Sequence, residues 1–359
     1  MKKAEIKKDI KKAHTLHTDF YTDPDLFLLI KEKIFANSWL YACDATVLKN
    51  SFDVYPLNFY PEFLEEPILF SKDENDVEHC LSNVCTHRGN ILIDNPSNRR
   101  VLSCGYHGRC FRHNGHFKSM PCFEKAEDFP SEADHLFQIP FGKWLNMFFV
   151  GLEAKGDFID LIQPMVERLN FLPLEELVFH PDKSVDYPLK ANWMLYCENY
   201  LEGFHIPFVH PGLNEALAFE EYDYELYEHC NLQLGIAKEG ELCFDIPSGH
   251  PDHGKNVFAY YYFLYPNMML NFYPWGLSTN IICPKGVEET LISFRTYLFP
   301  GKESLYQNNG LHQTEMEDEA IVLQVQKGIK SRFYQRGRFS PSMEKAVHWF
   351  HQKMATSLS

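Results

Sequence analysis

The first apolar positions along the chain have the spacing of a single helix face. They recur over residues 26–34, directly after the capping pair Asp23-Pro24, in which the proline suits the first helical position. The preceding stretch, residues 1–14, is rich in lysine and lacks the apolar core of a secretory signal. We predict a helical lead-in over residues 1–37 that begins with a solvated basic arm.

From Trp39 onwards the pattern changes to short apolar runs separated by turn-forming residues. Residues 67–70 form one such run, and the turn-like sequence of residues 72–76 follows it. This alternation is typical of β-hairpins. We therefore predict a small all-β domain over residues 38–155.

The remainder of the chain predicts a mixture of helices and strands. Residues 157–177 have the pattern of an acidic helical connector, and strand-forming residues dominate residues 218–300, which predicts a large antiparallel sheet. A last helix is expected over about residues 315–333. The predicted class is α+β, with a second large domain over residues 156–359.

Charge and composition narrow the classes of function. The net charge of -15 would repel nucleic-acid phosphates and anionic lipids, so neither nucleic acid nor a membrane is an expected partner. No apolar run approaches the ~18 to 20 residues that span a bilayer. The ten cysteines lack the dense spacing of a disulfide-stapled secreted domain, so we expect reduced thiols and a cytoplasmic protein.

Two similar Cys-His segments mark the first candidate metal site. Cys85 and His87 are separated by one residue, and Cys104 and His107 by two. Two thiolates and two imidazoles can hold a tetrahedral zinc ion or a Rieske [2Fe-2S] cluster. Zinc fingers usually group Cys with Cys and His with His, whereas here each segment supplies one of each. This interleaving favours the two-iron cluster, with zinc, or core residues that share this spacing by chance, as the alternatives.

A second candidate site follows the β-rich domain. On a continuous helix, Asn199, Glu202 and His205 would share one face, and Pro207 would break the helix and let His210 turn back towards His205. Two neutral imidazoles suit a 2-His-1-carboxylate Fe(II) site with open positions for dioxygen chemistry. Taken alone, a His-X4-His pair also fits ordinary core or surface histidines.

The missing carboxylate is predicted on the last helix. Asp318 shares a face with the apolar stripe formed by Ile321, Val322, Val325 and Ile329. A buried, unpaired carboxylate is costly, and metal coordination compensates it.

Three neighbouring acids and a histidine pair are the other candidates. Glu315 is the next candidate for the carboxylate ligand, while Glu317 and Glu319 fall off the predicted buried face. The pair His250 and His253 also has metal-ligand spacing, but we expect it to form a polar turn.

Several of these segments together resemble the Rieske non-haem iron oxygenases, the ring-hydroxylating oxygenase α-subunit family. The resemblance is carried by residues 85–89, 104–108, 192–211 and 317–328. Many relatives have Pro at the position of Gly105 and Trp at that of Arg109, but neither position is a ligand.

The resemblance implies an all-β Rieske [2Fe-2S] domain and a helix-grip, START-like catalytic domain. It implies that electrons pass from the cluster to a mononuclear Fe(II), which activates O2 to hydroxylate a small organic substrate. The cluster and iron ligands it implies are Cys85, His87, Cys104 and His107, and His205, His210 and Asp318.

The resemblance also implies a route for electrons between subunits of a homotrimer. Glu202 occupies the position of the acid that bridges a cluster histidine of one subunit to an iron histidine of the next, close to Asn199. A glutamate there resembles the choline, carnitine and betaine branch, so a quaternary amine or an aromatic compound is the expected substrate. Electrons would come from NAD(P)H through a separate reductase or ferredoxin.

Two rival functions keep the cluster and dispense with oxygen chemistry. A Rieske electron carrier would need no residues beyond the β-rich domain, and a redox sensor would leave the second site without iron. Iron content separates these rivals from an oxygenase, since the oxygenase needs about three irons per chain and the rivals about two.

Overall fold

The computed structural model describes residues 5–218, 222–306 and 308–358. Two compact units divide the chain: Trp39–Ala154 forms one, and Met1–Ser38 together with Lys155–Ser359 forms the other. The N-terminal residues, predicted as a separate lead-in, thus group with the C-terminal part of the chain. Backbone groups of Lys7 and Leu16 bond to His348 and His351 at 2.7 and 3.2 Å, which explains this grouping.

The N-terminal segment contains two short helices, α1 (Asp19–Thr22) and α2 (Pro24–Ile30), and a π-helical turn over Lys31–Phe35. The Asp23 carboxylate accepts hydrogen bonds from two N–H groups of the first turn of α2, which caps the helix as the sequence predicts. The prediction of a solvated arm over residues 1–14 is wrong at Ala13, which is fully buried. Residues 1–4 of this arm lie outside the described residues.

The unit Trp39–Ala154 consists of short antiparallel strands. The strands are β1 (Leu40–Asp44), β2 (Asp53–Phe59), β3 (Glu66–Lys72), β4 (Glu78–Ser82), β5 (Ser97–Asn98), β6 (Leu102–Ser103), β7 (Cys110–Phe111), β8 (Phe117–Ser119), β9 (Phe141–Trp144) and β10 (Met147–Val150). They form three sheets, whose strand orders are β1-β10-β9, β4-β3-β2-β5 and β6-β7-β8. This is the predicted β-hairpin architecture.

The other unit is built on an antiparallel sheet of eight strands, counted over the described residues. The strands are β11 (Val178–Phe179), β12 (Val185–Leu189), β13 (Asp223–Leu226), β14 (Cys230–Ile236), β15 (Val257–Leu264), β16 (Met268–Tyr273), β17 (Gly276–Gly286) and β18 (Glu289–Leu298). Their order in the sheet is β11-β18-β17-β16-β15-β14-β13, and β12 also pairs with β18. The large antiparallel sheet predicted for this region is present.

Six helices accompany this sheet in the described part of the chain. They are α3 (Phe158–Arg168), α4 (Trp193–Tyr200), α5 (Ile206–Val209), α6 (Pro211–Ala216), α7 (Asn308–Gly328) and α8 (Lys345–Ser357). The helix α4 packs against α7 and against β17. Among the described residues, none of the helices combines the length and apolarity needed to cross a membrane.

The helix α7 differs from its prediction in two respects. It begins and ends earlier than the predicted range of about residues 315–333. Its predicted apolar stripe is also half wrong, because Val322 and Ile329 are buried at 1% and 6% exposure, while Ile321 and Val325 are 39% and 43% exposed. The buried face therefore turns away from Ile321 and Val325.

Gly276 is the residue of the large sheet that tolerates a side chain least. It follows a two-residue turn and pairs with Tyr273 at the start of β17. Its φ is +152°, and a Cβ atom there would lie 2.2 Å from the carbonyl oxygen of Tyr297. Both facts require glycine at this position.

We predict that Gly276→Ala lowers the free energy of unfolding by about 1–3 kcal/mol, since the backbone of β18 must move to admit the methyl group. The matched control is Gly286→Ala on the same strand, where the nearest atom to a new Cβ is 3.7 Å away. Thermal denaturation of both variants measures the difference. Equal melting temperatures would contradict the prediction.

Candidate metal centres

Two loops of the β-rich unit have the same backbone structure and carry the four predicted cluster residues. In the first loop the N–H of Cys85 donates to the carbonyl of Asn90 at 2.8 Å, and in the second that of Cys104 donates to the carbonyl of Arg109 at 2.8 Å. In each loop the glycine four residues after the cysteine has a positive φ, near +70°, and its N–H donates back to the cysteine carbonyl at 3.0 Å. The loops are structural copies despite their different Cys-His spacing.

The side chains of these loops bring two thiols and two imidazoles together. Cys85 and Cys104 are 2% and 3% exposed and belong to the hydrophobic core of the unit. The rings of His87 and His107 lie 4.9 Å apart between centroids. The two thiols and the two imidazoles thus form separate pairs, which matches a cluster in which thiolates bind one iron and imidazoles the other.

The electrostatic surroundings prepare these groups to bind a metal. Burial opposes ionisation of Cys104, but N–H groups of Tyr106 and His107 and the Asn90 side chain lower its pKa overall. Loss of hydration and the neighbouring His107 lower the pKa of His87, which keeps it in the neutral form that ligates metals. Burial raises the pKa of the Cys85 thiol, so a bound cation is needed to ionise it.

Asp134 ties the two loops together, a role that the sequence analysis did not predict. Its carbonyl oxygen accepts from Thr86 of the first loop at 3.0 Å, and its carboxylate pairs with Arg109 of the second at 2.6 Å. The Arg109 side chain is almost fully buried and lies over the rings of Phe117 and Phe129 at 5.1 and 5.5 Å. Arg109 thus acts as a buried cation held between the Asp134 carboxylate and two aromatic rings.

The second predicted site is assembled as three ligand atoms of the other unit. Nε2 of His210 lies 2.9 Å from Oδ1 of Asp318, and Nε2 of His205 lies 3.4 Å from the same oxygen. The two Nε2 atoms are 3.2 Å apart. Among the described residues, these three form the one group of three or more His, Cys, Asp or Glu ligand atoms lying within 4.8 Å of one another.

The local structure that positions these histidines is not the predicted continuous helix. The helix α4 ends at Tyr200, and His205 is the N-cap residue of the short helix α5, in which Pro207 occupies the first turn. The break therefore precedes His205 rather than following it. His205 and His210 face each other across α5, with ring centroids 5.0 Å apart.

Each imidazole is held by a carboxylate on its outer nitrogen. Glu202 contacts Nδ1 of His205 at 2.7 Å, and Glu317 contacts Nδ1 of His210 at 2.8 Å. These contacts leave both Nε2 atoms free to point at a metal. The helical stripe predicts Glu317 off the buried face, and its side chain is 26% exposed there, but the stripe does not predict its contact with His210.

The protonation of this site depends on its carboxylates. Although burial alone would lower it, hydrogen bonds and charge from Asp318 and Glu202 raise the pKa of His205 to about 9. Burial would raise the pKa of Asp318, but the two imidazoles lower it below its usual range. An iron ion would take the place of the protons that these pairs share.

Asn199 lies beside the ligand group, as the sequence predicts. Its Nδ2 donates to Oδ1 of Asp318 at 2.9 Å and lies 3.4 Å from Nε2 of His205. The amide therefore fixes the carboxylate that the three ligand atoms share.

Glu315, the second candidate for the carboxylate ligand, lies outside this group. The hydroxyl of Tyr196 donates to its two oxygens at 2.8 and 2.6 Å, and Asn280 donates at 3.2 Å. Burial raises the pKa of Glu315 to about 8, and the charge of Asp318 adds to this effect. Glu315 is a wall of the adjoining cavity and not part of the ligand set.

A cavity opens directly onto the three ligand atoms. Its aromatic lining residues include Tyr222, Tyr261, Tyr273 and Phe294. Tyr260 and Tyr262 alternate with Tyr261 along β15 and are fully buried elsewhere. The histidine pair at 250 and 253 lies apart from it and binds backbone carbonyls, as expected of a polar turn.

Comparison with known families agrees with both candidate sites. Residues 38–130 match the model of the Rieske [2Fe-2S] domain, and residues 174–359 match that of the ring hydroxylating alpha subunit catalytic domain. The second match covers more than half of the chain. The chain belongs to the ring-hydroxylating oxygenase α-subunit family. It is a Rieske-type oxygenase of mixed α+β fold, which confirms the predicted family, fold class and enzyme class.

Curated relatives place this Rieske oxygenase near two monooxygenases. It is 26% identical to a chloroplastic choline monooxygenase of Arabidopsis thaliana over 95% of this chain and 82% of the relative. It is 27% identical to the carnitine monooxygenase oxygenase subunit of Escherichia coli (strain K12) over 96% and 93% of the two chains.

Solved structures show the same fold. A quaternary ammonium Rieske monooxygenase matches with a TM-score of 0.80 at 23% identity, covering 99% of this chain and 100% of that one. Naphthalene 1,2-dioxygenase from Rhodococcus sp. matches with a TM-score of 0.72 at 13% identity, covering 96% and 94%.

Membership of the family implies an iron-sulfur cluster and a non-haem iron, and the residues present fit both. The duplicated loops offer two thiols and two imidazoles, which is the donor set of a Rieske cluster. The group of two imidazoles and one carboxylate, with its outer nitrogens already bonded, is the donor set of a non-haem iron.

We predict that Asp318→Ala removes the mononuclear iron and leaves the cluster in place, because the two donor sets lie in different compact units. Iron should fall from about three to about two per chain with an unchanged Rieske spectrum. Glu315→Ala is the control, since Glu315 is equally acidic and three residues away but bonds to Tyr196 instead. Full iron in Asp318→Ala, or iron loss confined to Glu315→Ala, would move the ligand to Glu315.

We also predict that Fe(II) affinity rises with pH up to about 9. Below that pH the iron must displace a proton from His205, whose pKa is about 9, so each unit of pH should raise the affinity by up to about tenfold. Anaerobic iron titration of chelator-treated protein at several pH values measures this. In Glu202→Gln the Fe(II) affinity should stop rising at a lower pH, because the variant lacks one of the carboxylates that stabilise the proton on His205. Affinity that is flat between pH 6.5 and 9 would contradict the account.

Proposed function

We propose that this Rieske oxygenase hydroxylates a small quaternary amine, using residues of both candidate sites. In this proposal Cys85, His87, Cys104 and His107 hold the [2Fe-2S] cluster, and His205, His210 and Asp318 hold Fe(II). The observation that carries the proposal is the group of three converging ligand atoms beside a cavity with aromatic walls.

The chemistry divides between the metal groups and the protein. When bound, the cluster supplies single electrons and the Fe(II) activates dioxygen. The protein orients the ligands: Glu202 and Glu317 hold the outer nitrogens, and Asn199 holds the shared carboxylate. The aromatic cavity walls exclude water from the substrate and leave it facing the ligand group.

A quaternary amine is favoured over an aromatic substrate by the curated relatives, which are named choline and carnitine monooxygenases. The faces of Tyr222, Tyr261 and Tyr273 suit a quaternary ammonium ion through cation–π attraction. An aromatic compound is the second candidate, because the same walls also suit a ring.

We further propose that electrons cross between subunits through Glu202. Its carboxylate accepts from both Nδ1 and the backbone N–H of His205, at 2.7 and 3.0 Å, and its side chain keeps 15% exposure. Each carboxylate oxygen has a second lone pair, so Glu202 can accept a further hydrogen bond from a cluster histidine of a neighbouring subunit. Head-to-tail contacts of this kind must close into a ring, and we propose a homotrimer.

The electrons must reach the cluster from outside the chain. We propose that a separate reductase or ferredoxin delivers them from NAD(P)H to the cluster. All ten cysteines are free thiols, which supports a cytoplasmic location for the enzyme.

We predict that Glu202→Gln stays trimeric and fully metallated but reoxidises its reduced cluster ~10- to 100-fold more slowly in single turnovers with substrate and dioxygen. The reason is that the amide keeps the size of the side chain but loses the charge that joins the two imidazoles. Glu317→Gln is the matched control, because it alters the same kind of contact on His210.

Glu317→Gln should affect iron binding no more than Glu202→Gln does, and it should transfer electrons at a nearly normal rate. A wild-type rate in Glu202→Gln, or full activity in a monomer, would show that electrons take another route.

A further inference from the structure

Once iron takes the place of the protons on His205 and His210, the cavity next to the iron ligands contains carboxylates and no balancing cation of the protein among the described residues. Glu202, Glu315 and Asp318 line it, and no lysine or arginine is found among the described residues that do so. A divalent iron would be offset by Asp318 together with the carboxylates on the two imidazoles. A substrate carboxylate would therefore enter without a partner of opposite charge, which is costly in a buried site.

The end of the cavity formed by Glu315 is a fixed hydrogen-bond network. Asn280 donates to the hydroxyl oxygen of Tyr196 at 2.8 Å and to Glu315 at 3.2 Å, and Tyr196 donates to Glu315. Both partners donate, so Glu315 acts as an acceptor, and a cation bound beside it would lower its raised pKa and favour the charged carboxylate. Glu315 is 5% exposed, which removes most of the screening by water.

Tyr261 adds a hydroxyl whose interaction with Tyr273 is too weak to satisfy it. Its ring is 9% exposed, and its buried hydroxyl has no hydrogen-bond partner within 3.5 Å among the described residues. Buried hydroxyls are normally bonded, so an unbonded one on a cavity wall indicates that a ligand supplies the partner.

We propose that this cavity selects small cations that carry a neutral hydrogen-bonding group, such as quaternary amino alcohols, and rejects substrates that carry a carboxylate. Glu315 is the residue that determines this specificity, and the Tyr261 hydroxyl binds the neutral group. The inference rests on the proposed function and deepens it, because it separates two classes of substrate that the names of the relatives leave open.

The test uses four small ligands of similar size on the iron-loaded, full-length enzyme. Choline has a cation and a hydroxyl, glycine betaine has a cation and a carboxylate, tetramethylammonium has the cation alone, and 3,3-dimethylbutan-1-ol has the hydroxyl without the charge. Calorimetry measures the dissociation constant of each ligand, and oxygen uptake measures turnover separately.

We expect choline to bind at least about tenfold more tightly than each of the other three. Glu315→Gln should weaken the binding of choline and strengthen that of glycine betaine. The ratio of their dissociation constants should move about tenfold towards unity, while iron content and the Rieske spectrum stay unchanged. Glu319→Gln is the control, because it removes a charge from the same helix at a residue that does not line the cavity.

A second variant keeps the test valid if Glu315→Gln does not fold. Tyr261→Phe removes only the hydroxyl. It should bring the dissociation constants of choline and tetramethylammonium closer together, and the value for tetramethylammonium itself should not change.

Four outcomes have distinct meanings. Glycine betaine binding as tightly as choline to the wild-type enzyme would overturn the inference while leaving the oxygenase function intact. The uncharged alcohol binding as tightly as choline would do the same. Equal effects of Glu315→Gln and Glu319→Gln would remove Glu315 as the determinant. A protein without mononuclear iron would overturn the proposed function, and the inference with it.

Discussion

The candidate iron site depends on the antiparallel packing of α4 against α7. Three hydrogen bonds join α4 and its N-cap residue to α7: Asn192 to Gln326 at 2.8 Å, Tyr196 to Glu315 at 2.6 Å, and Asn199 to Asp318 at 2.9 Å. The first and second are buried, where bonds of this kind are most costly to lose. They hold Asp318 close to the two imidazoles, which the segment after α4 supplies. The packing of the two helices therefore positions the ligands of the candidate iron site.

The same packing explains why the cavity is polar at one end and aromatic at the other. Residues of α4 and α7 form the polar end with Asn280 of β17, and tyrosines of β15 and β16 form the aromatic wall. A small molecule in this cavity therefore meets a carboxyl group, tyrosine faces and the iron ligands at once.

The sequence predicted the cluster loops well and the iron site partly. Interleaved Cys and His identify the loops, because each loop supplies one ligand to each of the two irons. Asp318 was found by its place on the helical stripe, although half of that stripe is exposed. Glu317 was missed because it contacts His210 from the partly exposed side of α7, and a stripe of buried residues does not predict such a contact.

Two other features could not be predicted from local patterns. Helical periodicity predicts that Glu202 and His205 meet, but it cannot represent the break that ends α4 before both of them. Asp134 joins two loops that are far from it along the chain, and such contacts come from tertiary folding alone. The most direct test of the whole account is iron, zinc and acid-labile sulfide measured on one sample of wild-type protein. The account predicts about three irons and two sulfides per chain and no zinc; zinc without sulfide would contradict it.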